Sequence, residues 1–364
     1  MNPSSLSEVQ ETILNLLQSG RWKPGEKLPS THDFAEQIGL RSQEVQYALS
    51  ALAARGYLER KQGVGTILRK RRRSSNAMMF VGTNLHREKA YSGRLLVDTI
   101  RTELQQRGYG LTTLDNLFTA HNQEWQHYSA TMEGIRRQIE TVDPVGYFEV
   151  NCFLTSFPEL YAPLRRRPAV RQALAEHESD ISTDNRHLVN TALEHFAANG
   201  RRKIAILRPR SEVNPFFNYD RFLWSRLQEL GFLHCQIREI HSGREGVENM
   251  AYQLTSALVG EWKNLRKNYV PNCLLVTDDI AMLGVAAALL KSHLDVPRDL
   301  EIICKANEDI PHHFGLPVHR YEISQKTIAT QMVDLFEARV GKYPGPPTPI
   351  AIPGCLRLYE NPKG

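Results

Sequence analysis

The first part of the chain carries three short apolar stripes at helical spacing, and a glycine follows each of them. The first stripe runs from Val9 to Leu17. The next two follow Ser30 and Ser42, which have the short polar side chains that cap helices. Two strand-like segments, 57–60 and 66–68, come next and are joined by a glycine-containing turn. The pattern predicts three helices and a hairpin, that is, a helix-turn-helix with a β-wing.

From residue 78 onward, apolar strands alternate with longer amphipathic helices. The predicted strands are 78–83, 110–114, 145–148, 203–207, 273–277 and 300–304. The predicted helices are 92–107, 124–140, 185–198, 217–230, 247–260, 279–291 and a late apolar helix around 328–336. This alternation is typical of doubly wound parallel sheets, and roughly 280 residues are too many for one such sheet. We therefore predict an α/β body of two lobes.

Charge is distributed unevenly over these two parts. The 364 residues contain 45 Lys+Arg and 40 Asp+Glu, which gives a net charge of +5. Residues 1–77 contain 12 of the basic and 7 of the acidic residues, which leaves 33 of each sign for the rest. This asymmetry favours a polyanion-binding head on a neutral body; a solubilising tail is the alternative, but the head is too regularly patterned for one. We place the head at 1–69, a basic linker at 70–77 and the body at 78–364.

Two classes of protein do not fit this sequence. The longest apolar run, 280–290, is about eleven residues long and too short to cross a bilayer. The first residues lack the basic and apolar regions of a secretory signal, and the five cysteines are scattered without metal-type spacing. We therefore expect a cytoplasmic protein with reduced thiols and no membrane partner.

The sequence contains no convincing arrangement of catalytic groups. Asp278 and Asp279 are adjacent, and adjacent carboxylates rarely converge on one substrate. His312, His313 and His319 lack a further ligand at metal-type spacing. No glycine-rich phosphate loop or nucleophile elbow is present in the sequence. We predict no enzyme activity, no catalytic residue, no metal and no cofactor.

The head resembles the winged helix-turn-helix of GntR-type bacterial regulators over about residues 7–68. The segments that carry the resemblance are Leu-Pro-Ser at 28–30, the helix pair, and the Gly-x-Gly-Thr of the wing at 63–66. It implies a transcription regulator whose third helix enters the major groove while the wing reaches the adjacent minor groove. The sequence departs from the family in Arg-Ser-Gln-Glu-Val at 41–45, where Ser-Arg-x-Thr-Val is usual, and in His32, where arginine is common.

The resemblance and the positions of polar residues together predict a DNA-binding set. Its members are Ser30, Thr31, His32, Arg41, Ser42, Gln43, Glu44, Gln46, Arg60, Lys61, Gln62, Gly63 and Gly65. Gln43 could read adenine and Glu44 could accept from the cytosine amine, but both could equally be solvated helix positions. Arg41, Arg60 and Lys61 are expected to contact phosphates, and the linker 70–76 either joins them or is a solvated connector.

The body resembles the effector domain of LacI/GalR repressors, which has the periplasmic sugar-binding-protein fold. The resemblance covers about 78–360 and is strongest from 184 to 311, through "DNRHLVNTALEHFAANGRRKIAIL", "YDRFLWSRLQELGF", "LLVTDDIAMLGVAAALLKSHLDVPRDLEII" and "NEDIP". With the head, it resembles the arabinose-repressor class of regulators. Trp224-Ser225 replaces the usual Gly-Phe, and Ala-Asn-Glu at 306–308 replaces Gly-aromatic-Asp.

In open parallel sheets, ligands bind beyond the carboxyl ends of the strands, and in a two-lobed body these ends are expected to face a cleft. The predicted effector-binding residues are Asn84, Tyr91, Asn116, Asn151, Arg221, Asp278, Asp279, Asn307 and Glu308. Arg221 matches the family arginine that clamps sugar hydroxyls. Helix capping or surface ion pairing is the alternative for each residue, and Asp279 lies where a helix N-cap belongs.

These features favour a ligand-responsive, homodimeric repressor that binds operator DNA and a small polar effector, with a carbohydrate as the implied class. One alternative is a sugar-sensing module whose head makes only protein contacts. The other is an enzyme, because some GntR-type heads carry an aminotransferase-like body. Such bodies are usually longer than this one, and no convincing lysine site for pyridoxal phosphate is present.

Overall fold

The structure of the chain, a computed structural model, describes most of the sequence. The described residues are 6–18, 21–23, 25–54, 56–61, 63–69, 75–82, 91–115, 117, 125–152, 154–172, 179–209, 217–241, 246–310, 312–342 and 349–360. The chain divides into two compact units. The first is Met1–Ala173 with Glu178–Ile181 and Thr327–Ile350, and the second is Leu174–His177, Ser182–Lys326 and Ala351–Gly364.

A winged helix lies at the start of the first unit. Its elements are α1 (Leu6–Gln18), α2 (Thr31–Ile38), α3 (Ser42–Ala54), β1 (Leu58–Lys61) and β2 (Gly65–Leu68). The two strands pair antiparallel, with Leu58 opposite Leu68. Ser30 caps α2, because its hydroxyl accepts the Asp33 N–H at 3.2 Å. The three predicted helices and the predicted hairpin are confirmed.

The winged helix has a hydrophobic core of its own. Ile13 from α1, Phe34 from α2 and Leu49 and Leu52 from α3 are at most 1% exposed. Trp22 packs against Phe34 with ring centroids 5.4 Å apart. The apolar positions recur at helical spacing, so one face of each helix is buried in this core.

The rest of the described chain alternates strands and helices. In order these are β3 Ser75–Val81, α4 Tyr91–Gln106, β4 Tyr109–Leu114, α5 Trp125–Val142, β5 Gly146–Val150, α6 Pro158–Leu164, β6 Ala169–Gln172, β7 Ile181–Thr183, α7 Asn185–Ala198, β8 Lys203–Pro209, α8 Phe217–Glu229, β9 His234–Ile240, α9 Gly246–Lys263, β10 Cys273–Val276, α10 Asp279–Leu290, β11 Glu301–Asn307, β12 His319–Ile323, α11 Gln325–Val340, β13 Ile350–Ile352 and β14 Cys355–Arg357. Among the described helices, none is both long and apolar enough to cross a membrane.

The strands form two sheets that are largely parallel. The first sheet has the order β13-β7-β6-β5-β3-β4, and the second has the order β14-β12-β11-β10-β8-β9. In the first sheet, the pairings β7-β6, β6-β5, β5-β3 and β3-β4 are all parallel. In the second sheet, the pairings β12-β11, β11-β10, β10-β8 and β8-β9 are parallel, whereas β14 runs antiparallel to β12. Parallel pairing brings the carboxyl ends of neighbouring strands to one edge of each sheet. The predicted α/β architecture with parallel sheets is confirmed.

Several boundaries differ from the prediction. β3 begins at Ser75, so residues 75–77, which were assigned to the linker, are strand. Seven elements were not predicted from the sequence, namely α6, β6, β7, β9, β12, β13 and β14. β9 is an example of the reason: its sequence, His-Cys-Gln-Ile-Arg-Glu-Ile, lies at a sheet edge and is only half-buried along most of its length, so it lacks a long apolar run.

Candidate DNA-binding surface and effector site

The N-terminal half of α3 presents a polar face to solvent. Ser42, Gln43 and Gln46 are exposed, as is Arg41 just before the helix, whereas Val45 is buried in the core. The carboxamide of Gln43 donates to the Tyr47 hydroxyl at 2.9 Å, one turn further along. Free N–H groups at a helix N-terminus favour contact with phosphate, so this face has the chemistry expected of a DNA-reading helix.

Glu44 lies on the helix cap. Its carboxylate accepts the backbone N–H of Arg41 at 3.4 Å, which is the reach-back contact of a capping box. The helix begins at Ser42, so Arg41 occupies the capping position, and the prediction that Ser42 caps α3 is wrong. The Ser42 hydroxyl instead lies 3.3 Å from His32 Nδ1 and links α3 to α2. Base reading by Glu44 stays a prediction, with its carboxylate turned toward its own backbone.

The wing is braced against α3 by an arginine. The guanidinium of Arg60 donates to the Ser50 hydroxyl and to the Gln46 carbonyl oxygen. On the same strand, Glu59 accepts from Arg69 at 3.0 Å and pairs with Lys61 at 3.1 Å. The two cations lower the pKa of Glu59, with the Arg69 hydrogen bond as the larger cause. Of the predicted phosphate contacts, Arg60 therefore also has a structural role, and Lys61 already has an acidic neighbour.

A groove of about 610 Å³ lies between the start of α2 and the wing. It is lined by Lys27, Leu28, Pro29, Ser30, Thr31, Arg60, Lys61, Gly63, Val64, Gly65 and Thr66. Gly65 has a φ of 109°, a backbone conformation that strains any L side chain, so glycine is favoured at this position. Gly63 also has a positive φ and stands in open space at the wing tip. Gln62 lies outside the described residues.

At the carboxyl edge of the second sheet, three predicted effector residues lie together. Asp278 and Asp279 follow β10, and Asn307 ends the neighbouring strand β11. Asn307 Nδ2 donates to Asp279 Oδ2 at 2.7 Å. Asp278 is the N-cap of α10, since it accepts the Ala281 N–H at 2.7 Å. The alternative that Asp279 caps this helix is therefore wrong, and its buried carboxylate is held by Asn307 instead.

Burial and a neighbouring charge both shift the pKa of a carboxyl group at this edge. Burial raises the pKa of Asp278, and the adjacent Asp279 carboxylate raises it further. His312 Nε2 lies 3.7 Å from Asp279 Oδ2. The Thr277 hydroxyl, also at the end of β10, is buried and has no hydrogen-bond partner in the described part of the chain. A buried hydroxyl of this kind favours contact with a polar ligand.

The other predicted effector residues are more scattered. Arg221 lies in the first turns of α8 and is exposed, and Glu308 is exposed after β11. Tyr91 begins α4 and is 43% exposed, with the Arg94 guanidinium 5.1 Å from its ring. Asn84 and Asn116 lie outside the described residues. The structure therefore brings Asp278, Asp279 and Asn307 together and leaves the remaining roles as predictions.

The carboxyl edge of the first sheet contains an ion pair between a buried glutamate and a partly exposed arginine, beside Asn151. Glu149 is 1% exposed; it accepts the Leu154 N–H at 2.8 Å and pairs with Arg171 at 3.1 Å. Burial raises the pKa of Glu149, although the Leu154 N–H and Arg171 oppose this. Asn151 has a φ of 48°, and its side-chain oxygen is buried without a partner among the described residues, as is that of Gln172. Two unpartnered acceptors favour a ligand that carries hydrogen-bond donors.

Comparison with family models identifies both parts of the chain. Residues 6–68 match the family described as bacterial regulatory proteins of the gntR family, and residues 193–359 match a periplasmic binding protein-like domain. The chain therefore combines a GntR-type winged helix with a periplasmic-binding-protein-like domain. The predicted resemblance of head and body is confirmed.

Curated relatives match the GntR-type head. The histidine utilization repressor of Pseudomonas aeruginosa is 36% identical over 62 residues, which are 17% of this chain and 25% of that protein. The arabinose metabolism transcriptional repressor of Geobacillus stearothermophilus is 38% identical over 61 residues, 17% of each chain. The chain thus spans about a quarter or less of the length of these relatives.

Solved structures match the fold of this chain. A LacI family transcriptional regulator from Arthrobacter sp. FB24, in complex with lactose, has a TM-score of 0.59 at 16% identity over 80% of this chain and 100% of that one. The lac repressor dimer bound to operator and the anti-inducer ONPF has a TM-score of 0.60 at 15% identity, over 79% of this chain and 94% of that one. At such identity the likeness shows the fold alone.

The body contains polar groups near its strand ends that were not predicted from the sequence. Gln325 Nε2 donates to Asn307 Oδ1 at 2.7 Å, and Lys305 Nζ lies 3.3 Å from the Thr183 hydroxyl. Arg208, at the end of β8, is 7% exposed and pairs with Asp220 at 2.7 Å. A signal existed for two of them, because Lys305 and Arg208 are charged positions inside otherwise apolar strands.

Proposed function

We propose that this chain is a ligand-responsive transcriptional repressor that binds operator DNA through its winged helix and a small polar effector through its body. The observation that carries the proposal is the exposed polar face of α3 beside a wing that Arg60 fastens to the same helix. A reading helix and a wing held in fixed relation suit the major and the adjacent minor groove. Binding of chromosomal DNA would place the protein in the bacterial cytoplasm.

Fluorescence anisotropy of the full chain with bulk duplex DNA tests the DNA-binding part. We expect binding that weakens steeply as salt rises, because phosphate contacts release counterions. Arg41→Ala should weaken it, while Arg266→Ala, which removes an exposed arginine outside the winged helix, serves as the matched control. Absent or salt-independent binding would contradict the proposal and favour a sensing module whose head makes only protein contacts.

We propose that the effector is a carbohydrate and that Asp279, Asn307 and Gln325 contact it. These groups form a hydrogen-bonded chain at the carboxyl edge of the second sheet, with carboxylate and amide groups that suit hydroxyls. The effector-binding roles of Tyr91, Asn151, Arg221, Asp278 and Glu308 stay part of the proposal. Thermal-shift screening of the full chain against mono- and disaccharides, sugar phosphates and nucleosides tests it. A response to nucleosides alone would contradict the carbohydrate assignment.

We further propose that the repressor is a homodimer, so that two winged helices engage two operator half-sites. Light scattering coupled to gel filtration measures the mass in solution. A mass equal to that of one 41.5 kDa chain at micromolar concentration would contradict the dimer. We propose no catalytic step, because the two matched domains are of a DNA-binding and a ligand-binding type.

A further inference from the structure

Two histidines and a glutamate converge at the amino end of the second sheet, away from the proposed effector residues. His195 lies in the last turn of α7, Glu301 begins β11 and His319 begins β12. The ligand-type atoms of the three side chains all lie within 4.8 Å of one another. Since all three residues belong to the second unit, the cluster depends only on that unit. We propose that it is a binding site for a transition-metal dication of the zinc type.

The spacing of the three side chains suits one metal ion. His195 Nε2 lies 2.9 Å from Glu301 Oε1, and His319 Nε2 lies 3.3 Å from the same oxygen. Two ligands on a tetrahedral zinc ion lie about 3.3 Å apart when the bonds are about 2.0–2.2 Å long. Both distances lie close to that value. Imidazole nitrogen with one carboxylate oxygen is a donor set that zinc, cobalt and nickel accept.

One position between His195 Nε2 and Glu301 Oε1 can hold either a proton or a metal ion. The two atoms lie 2.9 Å apart, so a proton on Nε2 joins them when no metal is bound. Asn199 Nδ2 donates to the same Oε1 at 2.8 Å. A metal ion takes the place of the proton, because both atoms then offer a lone pair to the same cation.

Glu301 Oε1 is also crowded by donors. With both imidazoles protonated at Nε2, His195, His319 and Asn199 would all donate to this one oxygen, which has two lone pairs. With a metal in place of the two imidazole protons, the oxygen has two partners, the ion and Asn199. Arg201 Nε lies 3.4 Å from the other oxygen, Oε2, and orients the carboxylate for a single bond to the metal through Oε1.

A hydrogen bond from Tyr359 fixes which ring nitrogen of His319 carries the proton. Its backbone N–H donates to His319 Nδ1 at 2.9 Å, so in the metal-free state the His319 proton lies on Nε2. Metal at Nε2 requires the neutral ring to carry its proton on Nδ1, where Tyr359 then loses its acceptor. Metal binding should therefore loosen the backbone at Tyr359. The side chains of His195 and His319 are 17% and 15% exposed, so water can complete the coordination.

Cobalt titration of the chelator-treated full chain tests the site, since Co²⁺ reports coordination through visible absorption. We expect one equivalent per chain to produce d–d bands that Zn²⁺ abolishes. His319→Asn and, separately, His195→Asn should each weaken Co²⁺ binding by roughly tenfold or more. His293→Asn is the matched control. His293 is one of the 13 histidines of the chain, and it is exposed and lies outside the cluster.

Thermal melts establish that each variant is folded, and the two ligand variants give independent tests if one fails to fold. Amide hydrogen exchange at Tyr359 should accelerate when Zn²⁺ is added to the unsubstituted chain. Co²⁺ uptake that is equal in His195→Asn, His319→Asn and His293→Asn would overturn the site, as would the absence of saturable uptake. In that case the cluster is a hydrogen-bonded His–Glu–His network that holds α7 against the sheet.

Discussion

The side-chain amide of Asn307 donates to the carboxylate of Asp279 at 2.7 Å, although 28 residues separate them in the chain. The contact follows from the register of the second sheet, in which β10 and β11 pair in parallel with Val276 opposite Cys304. Residues that follow the two strands therefore meet at one edge. Gln325 extends the contact through Asn307 Oδ1, so three polar side chains form one chain of hydrogen bonds.

Asp279→Asn should abolish most of the effector response and leave DNA binding unchanged. The substitution keeps the size of the side chain but removes its charge, and a hydrogen bond to a charged group contributes about 1.5–3 kcal/mol. We expect effector binding to weaken by about tenfold or more. Titration calorimetry with the effector found by thermal shift measures this. Asp98→Asn, an exposed aspartate paired with Arg101 in α4, is the control, and equal affinities in both variants would remove Asp279 from the site.

Lys61→Ala should weaken binding to all duplex DNA by a similar factor, whatever the sequence. A lysine that contacts a phosphate contributes to DNA affinity without reading bases. Each lost contact lowers the slope of log affinity against log salt concentration by about 0.9 in magnitude. The double variant with Arg41→Ala should lose about two such contacts. Anisotropy over a range of salt concentrations measures the slope. An unchanged slope would show that the wing lysine stays with Glu59, which lies 3.1 Å away.

Asp278→Asn should flatten the pH dependence of stability. Burial raises the pKa of Asp278, so the folded state holds this proton more tightly than the unfolded chain does. Its contribution is therefore full below the ordinary aspartate pKa of about 3.9 and is lost as the pH rises through the folded value. Asparagine caps helices as well as aspartate does, so the cap of α10 is kept.

Urea unfolding as a function of pH measures this effect. We expect the free energy of unfolding of Asp278→Asn to fall less with rising pH than that of the unsubstituted chain. Asp184→Asn, which changes the N-cap of α7, is the matched control for the swap itself. Parallel pH profiles for the Asp278 variant and the unsubstituted chain would contradict the argument.

Cys355 should be the fast-reacting thiol of the native protein. It is exposed, whereas Cys152, Cys273 and Cys304 are buried and Cys235 is partly buried. Burial raises the pKa of both Cys152 and Cys235 to about 12, which leaves little thiolate at neutral pH. A chromogenic disulfide reagent should titrate about one thiol at once and the remainder after denaturation. Cys355→Ser should remove the fast phase, and rapid modification of further thiols in that variant would contradict the prediction.

Local patterns were sufficient to predict the winged helix. The apolar stripes, the Ser30 cap and the glycines around the wing tip lie within a few residues of the structure that they specify. The third helix shows the limit, because Ser42 is as good a cap residue as Ser30, yet Glu44 and Arg41 form the cap contact. Which of two adjacent residues caps a helix depends on where the backbone leaves the preceding turn.

Strands were predicted where apolar runs are long. β10, with Cys-Leu-Leu-Val buried throughout, was found almost to the residue. β9 and β12 were missed, since side chains on strands at or near a sheet edge are only partly covered and remain mixed in polarity. Several candidate effector residues were predicted because they follow a predicted strand, whereas Gln325 begins α11 and contacts Asn307 only through the fold.

The sequence by itself determined the winged helix and the longer strands and helices of the body, and with them the α/β class. Periodicity, caps and charge asymmetry act over a few residues, so they can be read along the chain. The tertiary structure alone decided which distant side chains share a hydrogen bond. Glu301 meets His195 across 106 residues because strand register and helix packing bring the two elements together, and no local pattern encodes that register.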